Sequence, residues 1–109
     1  MLSWEEFEQV DIRTGTIIEA EVFAGARKPA YKLIIDFGPL GIKKSSAQIT
    51  DYYQPAELMG MQIVAVINFP PKQIATFISE CLILGVVEPD KKVVLLKTSQ
   101  DCENGLRIA

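Results

Sequence analysis

The 109-residue chain contains no histidine. That absence removes the commonest general base near neutral pH, the Ser–His–Asp and Cys–His nucleophile pairs, and every histidine-bearing zinc site. Cysteine is almost as scarce. Cys81 and Cys102 lie far apart with no CxxC spacing, so one chain can assemble neither a four-thiolate metal site nor a dithiol redox motif. Such cysteine usage fits a reduced, cytoplasmic setting, with Cys81 a small buried side chain in the apolar run Cys81–Leu84 and Cys102 partly exposed among Asp101, Glu103 and Asn104. No apolar run approaches the roughly 18 residues of a membrane span, and Met1–Gln9 carries acids where an export signal carries bases. A soluble, non-exported protein without membrane insertion is expected. The length excludes a multidomain enzyme, a full dinucleotide-binding fold and a βα barrel. Ser45, Ser46 and Ser79 have no histidine to activate them, so no catalysis, cofactor or metal is expected.

What is present suffices for one compact core. Residues 1–109 read as a single domain, 49% hydrophobic and 23% charged, with residues 1–9 as an N-terminal helix and about 8–109 as the barrel with its C-terminal extension. The net charge of −3 argues against an indiscriminate polyanion binder. Its distribution is uneven. Residues 1–21 hold Arg13 against six acids, whereas residues 22–50 hold Arg27, Lys28, Lys32, Lys43 and Lys44 against Asp36 alone. A basic face on an acidic protein is one reading of this block; a solvated rim is the other.

Ser3 and Glu6 have the spacing of a capping box, with Trp4 and Phe7 as the apolar partners of a helix ending near Gln9. Ile12, Thr14, Thr16, Ile18, Ala20 and Val22 then alternate along a long strand in which Gly15 suggests a bend or bulge. After a loop over 24–29, Tyr31, Leu33, Ile35 and Phe37 form the apolar side of a second strand. Gly38, Pro39 and Gly41 turn the chain into a third strand over 42–49. A short helix begins near Pro55 and stops at Gly60, and residues 62–68 form a strand covered on both faces. Phe69–Pro70–Pro71 make a rigid corner, followed by a loop to Ile78, a strand over 79–87, and another over 93–96. These elements predict an all-β fold, a five-stranded Greek-key barrel of the OB type with a short N-terminal helix and one interposed short helix, an SH3-like barrel being the nearest competitor.

DIRTG at 11–15, YKLIIDFG at 31–38, SSAQIT at 45–50, PAELMG at 55–60, NFPPK at 68–72 and SECLILG at 79–85 occur in that order over nearly the whole chain. Together they resemble the tRNA-binding domain appended to some methionyl- and phenylalanyl-tRNA synthetases, and most closely the stand-alone CsaA proteins described as export chaperones. The resemblance implies an OB-fold, a homodimer, cytoplasmic location and binding of tRNA. For the CsaA type it adds binding of unfolded proteins or preproteins together with the export ATPase SecA.

Structural RNA recognition needs cations spaced to meet phosphates, and polar groups for sugars or unpaired bases. Arg27, Lys28, Lys32, Lys43 and Lys44 are the candidates from the basic block, with Lys43 and Lys44 expected on opposite faces of a regular strand. Asn68, Lys72 and Ser79 match polar and basic positions of the family segments. Two positions depart from the pattern: Ala75 stands where members often place arginine, and Leu82 where they often place methionine. Tyr31, Tyr52 and Tyr53 are either stacking platforms or core. Phe69, Pro70, Pro71, Ile74, Phe77 and Ile78 form an apolar segment with two competing uses, a dimer interface or a peptide-binding surface.

Overall fold

The computed structural model describes residues 1–109. In chain order the elements are α1 (Trp4–Glu8), β1 (Ile12–Val22), β2 (Tyr31–Asp36), β3 (Ile42–Ala47), α2 (Pro55–Leu58), β4 (Gln62–Val66), β5 (Lys72–Ile74), β6 (Phe77–Ser79), β7 (Leu82–Ile83), β8 (Gly85–Val87) and β9 (Val93–Leu95). Five strands form an antiparallel sheet in the order β3-β2-β1-β4-β7. The sheet curls until its outer strands meet: Glu80 N–H donates to the Lys44 carbonyl at 2.8 Å, and Ser45 Oγ to the Cys81 carbonyl at 3.0 Å. The result is a nearly closed barrel of the OB type.

Alternation along β2 turns Tyr31, Leu33 and Ile35 inward, with Phe37 following, onto Ile17, Ile63 and Ala65 from the neighbouring strands. Burying each large side chain contributes roughly 1.5–3 kcal/mol. Leu58 of α2 is fully buried in the same cluster. The Tyr31 hydroxyl donates to the Tyr53 carbonyl at 2.7 Å, and the Tyr53 hydroxyl accepts from Leu95 N–H at 3.0 Å. Both tyrosines therefore serve the core, while Tyr52 is exposed and its hydroxyl bonds Glu88.

The first strand departs from the alternation read in the sequence. A register shift between Ile17 and Glu19 places Ile17 in the core and leaves Ile18 outside, because the extra residue of a bulge reverses which side chains face inward; Val22, paired with Tyr31, is exposed at the end of the strand. Gly15 is not the bulge. A Cβ there would lie 2.7 Å from Phe37 Cε1 and 2.8 Å from Ile35 Cγ2, so glycine is required for β1 to pass close over the core. The expected loop after Pro71 contains the β5–β6 hairpin, and the expected strand over 79–87 breaks into β6, β7 and β8, which belong to three different sheets. The Ser3–Glu6 capping box forms, its hydrogen bonds holding the Glu6 carboxyl below the usual range. Trp4, however, is 86% exposed, so α1 does not use it as an intramolecular anchor.

The C-terminal segment straps back over β1. Gly105 N–H donates to Thr14 O at 2.7 Å and Ile108 N–H to Ile12 O at 2.9 Å, while the buried Thr14 hydroxyl donates to Glu103 O and accepts from Leu106 N–H. Gly15→Ala is expected to destabilise the protein by about 1–3 kcal/mol through overpacking, because both neighbours are fully buried. Urea denaturation checks this: the midpoint falls and the m-value stays unchanged.

Candidate nucleic-acid interface and apolar cleft

The β2–β3 register sets Lys32 opposite Ser46 and Ile34 opposite Lys44, so these four residues share one outward face. The β5–β6 hairpin folds over that face. Phe77 meets Phe23 edge-to-face with ring centroids 5.5 Å apart. Lys32 Nζ lies 4.9 Å from the Phe23 centroid and 5.6 Å from that of Phe77, and Lys44 Nζ lies 5.4 Å from Phe77. Ser46 N–H donates to Ser79 Oγ at 3.2 Å. Neither lysine forms a salt bridge. Glu21 stands directly across from Lys32 in the β1–β2 register, yet the ammonium rests on aromatic rings.

Other candidate residues distribute around this centre. Arg27 and Lys28 are exposed in the loop between β1 and β2; a Cβ on Gly25 of that loop would lie 3.6 Å from the Ala75 Cβ at the hairpin tip. Lys72 pairs with Ser79 across the hairpin. Lys43 turns away from Lys44, onto the side of β3 that carries the buried Ser45. Asn68 is occupied in the fold: its Oδ1 accepts from Asp11 N–H at 3.0 Å and its Nδ2 donates to Gln9 O at 2.7 Å. The side chain staples the approach to β1 onto the end of β4. Asp11 in turn receives Arg13 Nε at 2.6 Å, and Arg13 Nη1 donates to Gly105 O at 3.1 Å. The acid and base of DIRTG thus fasten the chain's two ends together.

The apolar segment divides. Phe69 and Pro70, with Lys72, Ile74 and Ser79, line a cleft of about 720 Å³ whose remaining wall comes from residues 46–49, 80–85 and two valines of the β8–β9 hairpin, Val87 and Val93. This volume is in the range of small-ligand sites. Leu82 lines the cleft, while Ala75 and Pro71 are exposed outside it. Phe77 and Ile78 are half-buried, Phe77 against Phe23 and the two lysines.

A basic, aromatic outer face and a separate apolar cleft on one small barrel are the geometry against which relatives can be compared. Residues 12–107 match the family described as "Putative tRNA binding domain". The chain belongs to the tRNA-binding domain family. The chaperone CsaA of Bacillus anthracis superposes with a TM-score of 0.95 at 52% identity, covering 100% of this chain and 99% of that one. The CsaA chaperone of Picrophilus torridus gives a TM-score of 0.93 at 51% identity over the full length of both. The methionine–tRNA ligase of Chlorobium chlorochromatii is 34% identical over 104 residues, 95% of this chain but 14% of that protein. The ligase similarity is therefore to its tRNA-binding portion.

Two members of the tRNA-binding domain's basic face are not apparent from composition. Phe23 directly follows the end of β1 as one apolar residue among others, and Ser46 acquires its role only through Ser79, distant in sequence. No local signal distinguishes either. In the cleft, burial pushes the Cys81 thiol up to about 11 from an ordinary 9.0, with Glu80 adding to the shift and the Ser45 hydrogen bond and Lys43 opposing it. The raised value means that the native state holds the thiol proton more tightly than the unfolded chain. The associated stability is complete below pH 9 and is lost between pH 9 and 11. Denaturation midpoints across that window are expected to fall more steeply for the wild type than for Cys81→Ala, and equal slopes would refute the assignment.

Proposed function

We propose that the protein is a non-catalytic, CsaA-type tRNA-binding protein that also acts as a chaperone toward proteins awaiting export. The observation that carries the RNA reading is the pair Lys32 and Lys44, whose ammoniums form no salt bridge, Glu80 Oε1 accepting only from the Lys44 backbone N–H, and which share one face beside the loop of Arg27 and Lys28. Phosphate oxygens replace the water around such ammoniums, and the release of condensed counterions favours the complex. Lys72 and Ser79 extend the set along the hairpin. Lys43 and Asn68 leave it, the first by orientation and the second because both ends of its amide are engaged within the fold.

The chaperone reading rests on the apolar cleft, which offers Phe69, Ile74, Leu82 and Val87 to an unfolded chain. A holdase with weak or secondary tRNA binding is the alternative, favoured by Ala75, where an arginine at the hairpin tip would add a phosphate contact. In either reading the protein works in the cytoplasm as a homodimer, with preproteins and SecA as its protein partners. Phe77 is taken up inside the chain, which leaves the dimer contact to the exposed Trp4 and to Val86 of β8, which does not line the cleft.

Two measurements decide these assignments. For tRNA retardation across a salt series, Lys32→Ala and Lys44→Ala together are expected to weaken binding and lower the slope of log affinity against log salt by about 2. Asn68→Ala, destabilising as it is, leaves that slope in place. An unchanged slope in the double lysine variant removes the site assignment. In sedimentation equilibrium, Trp4→Ser combined with Val86→Asp is expected to yield monomers, whereas Phe77→Asp stays dimeric; the reverse pattern places the interface on the hairpin.

A further inference from the structure

The β5–β6 hairpin is a two-stranded sheet that pairs with no other strand. Phe77 seats it through the ring of Phe23 and the ammoniums of Lys32 and Lys44, and Ser79 through the Ser46 amide. The same hairpin supplies Lys72, Ile74 and Ser79 to the apolar cleft. It is therefore a wall shared by the basic face and the cleft, and its attachment uses the two cations assigned to phosphate.

We infer that RNA bound at Lys32 and Lys44 and an unfolded chain bound in the cleft antagonise one another through the seating of this hairpin. The inference rests on the function proposed above and adds its regulation. Attraction between an ammonium and an aromatic face is electrostatic, arising from the negative quadrupole of the ring. An oxyanion drawn against Lys32 or Lys44 offsets the cation's charge and repels that same face. Phe77 loses its clamp, and the hairpin that carries Ile74 loosens over the cleft. In the opposite direction, an apolar chain packed on Ile74 favours the seated hairpin, keeps the ammoniums on the ring, and raises the cost of giving them to phosphate. Linkage requires the two effects to be equal in size. Two partly exposed contacts of this type limit the coupling to roughly five- to thirty-fold.

The clamp is tested first without any ligand. Amide hydrogen exchange over residues 72–79 is expected to be several-fold faster in Lys32→Gln/Lys44→Gln than in the wild type, with β1, β2 and β4 unaffected. Equal exchange overturns the inference. The coupling is then read at fixed ionic strength with unfractionated tRNA and a fluorescein-labelled decapeptide of Leu, Val and Ser. Saturating tRNA should weaken peptide binding five- to thirty-fold, and saturating peptide should weaken tRNA binding by the same factor. Phe77→Leu keeps an apolar side chain without the quadrupole; with each affinity measured alone in that variant, the ratio that defines the coupling should fall below two-fold. Independent binding in the wild type, or undiminished coupling in Phe77→Leu, overturns the inference. Failure of either ligand to bind at all refutes the corresponding part of the proposed function instead, and the exchange experiment still decides the clamp.

Discussion

An ammonium resting on an aromatic ring keeps its charge; one paired with a carboxylate gives most of it up. Everything distinctive about the outer face of β2 and β3 depends on that difference. The protein carries a net charge of −3, and a carboxylate lies within one strand of Lys32 at Glu21. Had the cross-strand ion pair formed, the Lys32 ammonium would be offset locally by Glu21, and Lys44 would be left as the strand cation open to a phosphate. Phe23 and Phe77 position Lys32 and Lys44 at modest energetic gain, of the order of 1 kcal/mol per contact at most for a partly exposed site, and neither ammonium is tied to a carboxylate. Local positive potential is thereby maintained on a globally acidic molecule, which suits selective rather than indiscriminate attraction of polyanions.

The barrel beneath is organised about β1. It pairs with β2 on one side and β4 on the other, passes over Phe37 at Gly15, and receives the C-terminal strap along residues 12–14. Several residues with the chemistry of a binding site are spent on this strand. Asp11, Arg13 and Asn68 knit the N-terminal approach, the end of β4 and Gly105 into one network, and Thr14 is satisfied by the strap. Polar residues spaced along a motif thus have two physical uses, and hydrogen-bond satisfaction decides between them: a side chain whose donors and acceptors are already matched has little left for a ligand.

Much of the fold was legible in the chain because it rests on local patterns. The period-two run of β2, the Ser3–Glu6 box, Pro55 at the start of α2 and the apolar run of β4 each carry their own signal. The inward face of β1 was not legible, since a bulge at Ile18 reverses the alternation and depends on the partner strand, not on β1 alone. The β5–β6 hairpin was hidden for a related reason: two three-residue strands, the first entered directly from Pro70 and Pro71, give too short a periodic run to separate from a loop. In the basic set, Lys32 and Lys44 could be named from charge, and the opposition of Lys43 and Lys44 from pleating. Their aromatic partners could not, because Phe23 and Phe77 meet only after the hairpin has folded back over the sheet.

Ala75 occupies the tip of that hairpin with a positive φ of 53°, exposed and beside the loop of Arg27 and Lys28. It is not part of the buried cluster that defines the barrel. Side chains at such a position can be exchanged during divergence with little penalty beyond the local backbone preference, which disfavours non-glycine residues by of the order of 1–2 kcal/mol whatever their charge. A lineage can therefore strengthen or relax its hold on nucleic acid by altering one solvent-facing codon, while the inherited scaffold and its inner cavity pass unchanged to descendants with different duties.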